Sequence, residues 1–187
     1  MIILGIDPGT ATTGWGLVKQ TSVSKQLSAN KKNSLPNGFT ISLVDYGCII
    51  TDSEAEMGER LVVLKKGLDK VIKTHRPDCI VIERLFFGSN VTSALTVGQA
   101  RGVVLLASSE NKLQTFEYTG LQVKLTVADH GRADKVAIQK AVRKYLKVRK
   151  LPNPKDQSGK EVFRFRDDAY DAVAAAICHV IKTAKIE

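Results

Sequence analysis

Residues 1–20 read MIILGIDPGTATTGWGLVKQ. Ile2 to Ile6 form an apolar run of strand length, and Pro8-Gly9 ends it at once. Gly14-Trp15-Gly16-Leu17-Val18 resumes the strand pattern, so the two runs predict a hairpin of strands over 2–6 and 14–20. Asp7 interrupts that simple picture, because it puts a carboxylate at the end of a buried strand and against the turn. Taken alone, it fits a turn-capping aspartate as well as it fits a ligand.

The pattern continues past the hairpin. TSVSKQLSANKKNSLPNG, 21–38, is polar and broken by Pro36 and Gly38, which predicts a long hairpin tip. FTISLVDYGCII, 39–50, returns to strand. Over 54–75, Leu61, Leu64, Leu68 and Ile72 make one apolar helical stripe, which His75-Arg76-Pro77 stops. Cys79 to Ile82 are four apolar residues in a row, the signature of a strand covered on both faces, and Glu83 follows directly. A second helix over 91–110 is apolar on more than half its surface, and LQTFEY, 113–118, reads as a strand. Residues 119–126 stay ambiguous, a short helix being one reading. An amphipathic basic helix spans 134–147, a charged segment with two prolines spans 150–166, and DDAYDAVAAAICHVIKTAK forms the last helix. There is no internal repeat. The order predicts one mixed α/β domain over 1–187, with helices on the sheet faces.

Composition narrows the partners. Of 187 residues, 28 are Lys or Arg and 19 are Asp or Glu, a net charge of +9 that favours a polyanion. The three cysteines, Cys48, Cys79 and Cys178, lack metal-ligand spacing and fit a reduced, cytoplasmic setting. The opening apolar run is too short for a secretory signal, and no stretch approaches the roughly 18 apolar residues of a membrane span.

The acidic residues form a constellation. If the strands ending at Asp7 and Glu83 are parallel neighbours, joined by a right-handed crossover through the 54–75 helix, the two carboxylates are adjacent where open α/β sheets bind ligands. Asp168 and Asp171, three apart, share one face of the last helix, and the small residues Ala172 to Ala176 let that helix pack close to the sheet. Asp167 or Asp168 alone reads first as an N-cap, and Glu83 alone as a surface strand end. Four gathered carboxylates need neutralising, which hard divalent cations do through oxygen ligands. Two Mg²⁺ roughly 4 Å apart support in-line phosphodiester hydrolysis.

GIDPGTATTGWG, VIERLFF, GQARGVV, QVKLTV, HGRADK and DDAYDAVAAAICH, in this order, resemble the bacterial RuvC Holliday-junction resolvases of the ribonuclease-H-like superfamily. The resemblance spans nearly the whole chain. It implies a ribonuclease-H-like mixed five-stranded sheet with helices on both faces. It also implies a homodimeric endodeoxyribonuclease that makes paired symmetric nicks in four-way DNA junctions during recombination and repair. Two Mg²⁺ per active site, replaceable by Mn²⁺, and a branch-migration helicase complex as partner belong to the same expectation. By motif, the metal-binding catalytic acids are Asp7, Glu83, Asp168 and Asp171. Lys124 and Lys135 match basic positions near the scissile phosphate, Arg132 joins them as a DNA contact, and Phe86 matches an aromatic that stacks on a junction base. Phe86 is expected outside and Phe87 inside. The 91–110 helix is expected at the dimer interface, with a buried core helix as the other reading.

His130 is placed in a loop near the phosphate and His179 in packing. Two segments look longer than the compact family pattern, the 21–38 tip and the 150–166 loop. The second carries Lys150, Lys155, Asp156, Lys160, Glu161, Arg164 and Arg166, and because it leads into Asp168 it is expected to touch a DNA arm. Neutralising its Lys155, Lys160, Arg164 and Arg166 should then weaken junction binding and flatten its salt dependence. The alternatives are an RNA-directed nuclease of the YqgF type, a binding-only junction protein, which would lack an acid, and an actin/hexokinase-like nucleotide-binding protein. The last needs two such domains, and 187 residues are too few.

Overall fold

The structure is a computed structural model that describes residues 1–22, 38–84 and 91–184, with side chains in the second helix described from Ala94 onward. The chain runs β1 (Ile2–Asp7), β2 (Thr12–Ser22), β3 (Phe39–Ile50), α1 (Met57–His75), β4 (Cys79–Arg84), α2 (Val91–Glu110), β5 (Gln114–Thr119), α3 (Gly120–Ala128), α4 (Lys135–Leu146) and α5 (Arg166–Thr183). Five strands form one mixed sheet in the order β3-β2-β1-β4-β5. β1 pairs antiparallel with β2 and parallel with β4, and β4 pairs parallel with β5.

Helices cover both faces. Leu4, Ile6, Ile80 and Ile82 pack against Leu64 and Leu68 of α1 and Ala100 and Val104 of α2. Ile3, Val81 and Cys79 point the other way, into a core with Val123 of α3, Ile138 of α4 and most of α5. α5 is buried from Ala172 through Val180. It lies directly on the hairpin, because an added Cβ at Gly5 would collide with the Ala172 carbonyl, one at Gly14 with the Asp168 carbonyl, and one at Gly16 with Val173. The alanines of the helix and the glycines of the strands are therefore two halves of one contact.

The expected elements are present, with three refinements. The 119–126 stretch is a helix, α3, started by a full capping box between Thr119 and Gln122. α5 starts at Arg166 with Phe165 at its N-cap position and no side-chain cap, so neither Asp167 nor Asp168 caps it. The 150–166 segment is not a free loop. It folds back on β3: the Cys48 amide donates to the Lys155 carbonyl (2.9 Å), and the Val162 amide donates to the Pro154 carbonyl (2.8 Å). The Gln157 side-chain amide donates to the Ile50 carbonyl (2.6 Å) and accepts from the Ile50 amide (2.9 Å). Leu151 and Val162 are buried beneath it. The segment thus covers part of the open edge of β3, the usual protection of an edge strand. Most of the 21–38 tip, and Phe86 with Phe87, lie outside the described residues.

Candidate active site

Asp7 is the last residue of β1, and Glu83 is the penultimate residue of β4. The parallel register matches Ile6 with Ile82, so the two carboxylates leave adjacent strands side by side. Asp168 and Asp171 come down from the first two turns of α5, which rests on Gly14, the partner of Asp7 across the hairpin. Thr13 holds the turn between β1 and β2: its hydroxyl donates to the Gly9 carbonyl at 2.7 Å and accepts from the Gly9 amide at 3.3 Å. The hydroxyl of Thr13 thus fills the turn-holding role that the sequence also allowed for Asp7.

The acids share one electrostatic field. Burial pushes the Asp7 carboxyl well above the usual carboxylate range, and Glu83, Asp171 and Asp168 push it further. Burial, then Asp171, raises Glu83 to about 7. Burial, then Asp167 and Asp168, raises Asp171 to about 6. Asp168 is raised by burial and Asp167, and lowered by Lys135. Desolvation and like charge both disfavour the ionised form, so the site as built is short of positive charge. Among the described residues, no three Asp, Glu, His or Cys side chains close into a preformed ligand shell. Like charges repel, and it is the strand and helix positions of these carboxylates that bring them together.

A cleft of about 330 Å³ opens over Glu83 and Asp171, with Lys124 of α3 and Lys135 of α4 on its walls. Both lysines oppose the raised values, Lys124 acting on Glu83 and both acting on Asp171. Lys135 starts α4, where Asp134 caps the helix by accepting from the Ala137 amide (2.8 Å). Its ammonium donates to Asp167 at 3.0 Å, and Gln139 donates to the other oxygen of Asp167 at 2.8 Å. Arg132 is exposed on the α3–α4 connection and does not line the cleft, where Lys124 and Lys135 do. His130 is exposed on the same connection, and its Nδ1 accepts from the Arg132 amide (2.9 Å). His179 is buried, with Tyr118 Oη 2.9 Å from its Nδ1, and plays a packing part.

Two residues beside the acids were not marked for this place by the sequence. An added Cβ at Gly120 would sit 2.6 Å from Glu83 Oε1, so this glycine makes room for the acid. Asp167 read only as a cap, yet it ties α4 to α5 through Lys135 and Gln139. Both depend on contacts across elements, which local patterns do not reveal.

A family model described as crossover junction endodeoxyribonuclease RuvC matches residues 3–179. The RuvC of Rubrobacter xylanophilus is 43% identical over 178 residues, covering 95% of this chain and 84% of that one. The RuvC of Ruminiclostridium cellulolyticum is 41% identical over 179 residues, 96% of this chain and 91% of that one. Among solved structures, Thermus thermophilus RuvC in complex with Holliday junction substrate superposes with a TM-score of 0.78 at 25% identity, covering 99% of this chain and 96% of that one. The yeast mitochondrial Holliday junction resolvase Ydc2 shares the fold, with a TM-score of 0.56 at 12% identity, over 98% of this chain and 83% of that one.

Proposed function

The chain belongs to the RuvC family of crossover junction endodeoxyribonucleases, and on that footing we propose that Asp7, Glu83, Asp168 and Asp171 hold two Mg²⁺ for hydrolytic nicking of a four-way DNA junction. The observation that carries this reading is the convergence of four carboxylates, each with its ionised form disfavoured, at the carboxyl ends of β1 and β4. The donor set is all hard oxygen, which suits Mg²⁺ or Mn²⁺ and not a thiolate-seeking metal. When bound there, the ions supply a water of lowered pKa and charge stabilisation for the leaving 3′ oxygen.

The protein's own contribution is placement. Asp7 is fixed by the β1–β2 pairing, Glu83 by two parallel neighbours, and the helical pair by the packing of α5 on glycine. Lys124 and Lys135 offer ammonium groups at the cleft wall, where a phosphate would replace the Asp167 contact of Lys135. The +9 net charge supplies the long-range attraction for the DNA backbone.

A homodimer fits the same reading. Ala100, Val104 and Ala107 bury one stripe of α2 against the sheet, while Leu95 and Leu106 on the other side are 65% and 51% exposed. An added Cβ at Gly98 or Gly102, between them, would meet nothing. A second copy laying its own α2 here would bury Leu95 and Leu106 and place two equivalent sites on two equivalent strands. The partnership with a branch-migration helicase complex and a place in the cytoplasm follow from the family reading. No described helix is long and apolar enough to cross a membrane.

The test is a nicking assay on a labelled synthetic four-way junction, with linear duplex and an RNA–DNA hybrid as controls. Paired symmetric nicks on the junction alone, dependent on Mg²⁺, are expected. Cleavage of the hybrid instead would contradict the proposal.

A further inference from the structure

Phe163 is 72% exposed, the most exposed large apolar side chain among the described residues. Burial elsewhere in its segment makes this informative. Leu151 and Val162 are buried, Phe165 is partly packed against the core, and Arg164 lies over the Phe165 ring at 5.6 Å. The backbone beneath is pinned on both sides, by the Val162–Pro154 and Cys48–Lys155 bonds and by the two bonds of Gln157 to Ile50. A tight turn completes it, in which Asp156 accepts from the Ser158 and Lys160 amides at 2.8 and 3.0 Å. The segment is a fixed mount that presents one aromatic ring to solvent.

The surroundings select the partner. Lys155, Lys160 and Arg164 of the same segment are exposed. The two nearby acids are engaged, Asp156 within its turn and Glu161 with the Asn153 amide (3.0 Å). Arg166, by contrast, turns inward, donating to the Tyr170 hydroxyl at 3.3 Å and lying over its ring. An exposed aromatic in a segment with three exposed cations suits a strand of nucleic acid, which offers stacking faces and phosphates together. Phe163 and Asp168 are five positions apart, at most ~18 Å of extended chain. At about 3.4 Å per nucleotide, the ring therefore reaches bases within roughly five nucleotides of the scissile position.

We propose that Phe163 is a base-stacking contact for unpaired or distorted bases near the junction point, with Lys155, Lys160 and Arg164 holding the adjacent phosphates. This rests on the junction-cleaving reading above. Duplex arms offer few open base faces, so the ring discriminates junction from duplex, while the cations bind both.

The test measures dissociation constants in EDTA, without cleavage, for a four-way junction and a long linear duplex of the same arm sequence. The full chain, Phe163→Ala and Phe163→Trp are compared. Phe163→Ala should weaken junction binding about five- to a hundredfold and duplex binding less than twofold. Its thermal unfolding should stay unchanged, because the side chain is exposed. Phe163→Trp should restore the affinity, with the added indole fluorescence quenched by junction DNA. Replacing Lys155, Lys160 and Arg164 by Gln should lower the salt slope by about one per residue on both DNAs. Unchanged junction affinity in Phe163→Ala, equal loss on junction and duplex, or no quenching in Phe163→Trp would overturn the stacking role. In each of those cases wild-type nicking of the junction still stands. A wild type that neither binds nor nicks the junction overturns the underlying reading as well.

Discussion

Glu83 shows how a site can be legible in its acids and hidden in its supports. A carboxylate placed directly after a four-residue apolar strand is visible as an anomaly in the sequence. The glycine that accommodates it, Gly120, lies on another element and reads as an ordinary residue. Gly120→Ala would place a methyl carbon against Glu83 Oε1. If Glu83 holds a metal as proposed, displacing it by even an ångström is costly to positioned chemistry. We expect junction nicking to fall tenfold or more in this variant while its melting temperature moves by only a few degrees, as checked by single-turnover kinetics beside thermal unfolding.

The charge of Glu83 also leaves a mark on stability. Its carboxyl titrates near 7 in the folded protein against an ordinary 4.5. Between those values the folded chain holds the proton and the unfolded chain does not, so stability falls as pH rises. The cost is absent below about pH 4 and complete above about pH 7.5. Metal-free Glu83→Gln should therefore be more stable than wild type at pH 8, by about 1–3 kcal/mol, and nearly equal to it at pH 4.5. Mg²⁺ should stabilise wild type and not the variant. Urea unfolding in EDTA and in Mg²⁺ reads all three, and a variant less stable at both pH values would contradict the account.

Among the elements, α5 does most to assemble the site, and its contact with the hairpin was half visible. The run from Ala172 to Ala176 announces close packing. That Gly5, Gly14 and Gly16 complete it becomes visible only once register is known, because their spacing also suits turns and bulges. Gly16→Val would drive a branched side chain into Val173, and overpacking of this kind costs about 1–3 kcal/mol. A lowered urea midpoint with an unchanged slope is the expected result.

α3 was left open by the sequence, a short helix being one reading, and the structure settles it. Leu121, Val123, Leu125 and Val127 alternate as in a strand, yet the capping box at Thr119 starts a helix that buries Val123 and Val127 and leaves Leu121 and Leu125 exposed. The cap outweighs the alternation because the buried pair is also four residues apart. On α2, Leu95→Glu with Leu106→Glu should yield monomers by analytical ultracentrifugation, and unaltered sedimentation would place the dimer contact elsewhere.

Across the chain, topology made the placement of the two strand-end acids predictable. A parallel β1–β4 pair joined through α1 brings Asp7 beside Glu83, and this follows from the order of strand and helix patterns alone. The folding of 150–166 onto β3 was not predictable, because Gln157 and Ile50 are 107 residues apart and no local pattern links them. The same distance explains why a segment that reads as a charged loop is a rigid mount. Charge completes the picture: an acidic centre inside a chain of net charge +9 separates binding from chemistry. Removing an acid should spare the DNA affinity that the basic surface provides.

That separation makes Asp7→Asn the most direct test. Junction affinity and Mg²⁺-dependent nicking would be measured side by side on one preparation of wild type and variant. Nicking should be abolished and the dissociation constant should stay within about twofold of wild type if Asp7 serves as a metal ligand and not as a DNA contact. Nicking that survives, or junction binding lost together with it, would show that Asp7 serves the fold or the DNA surface and not the metal.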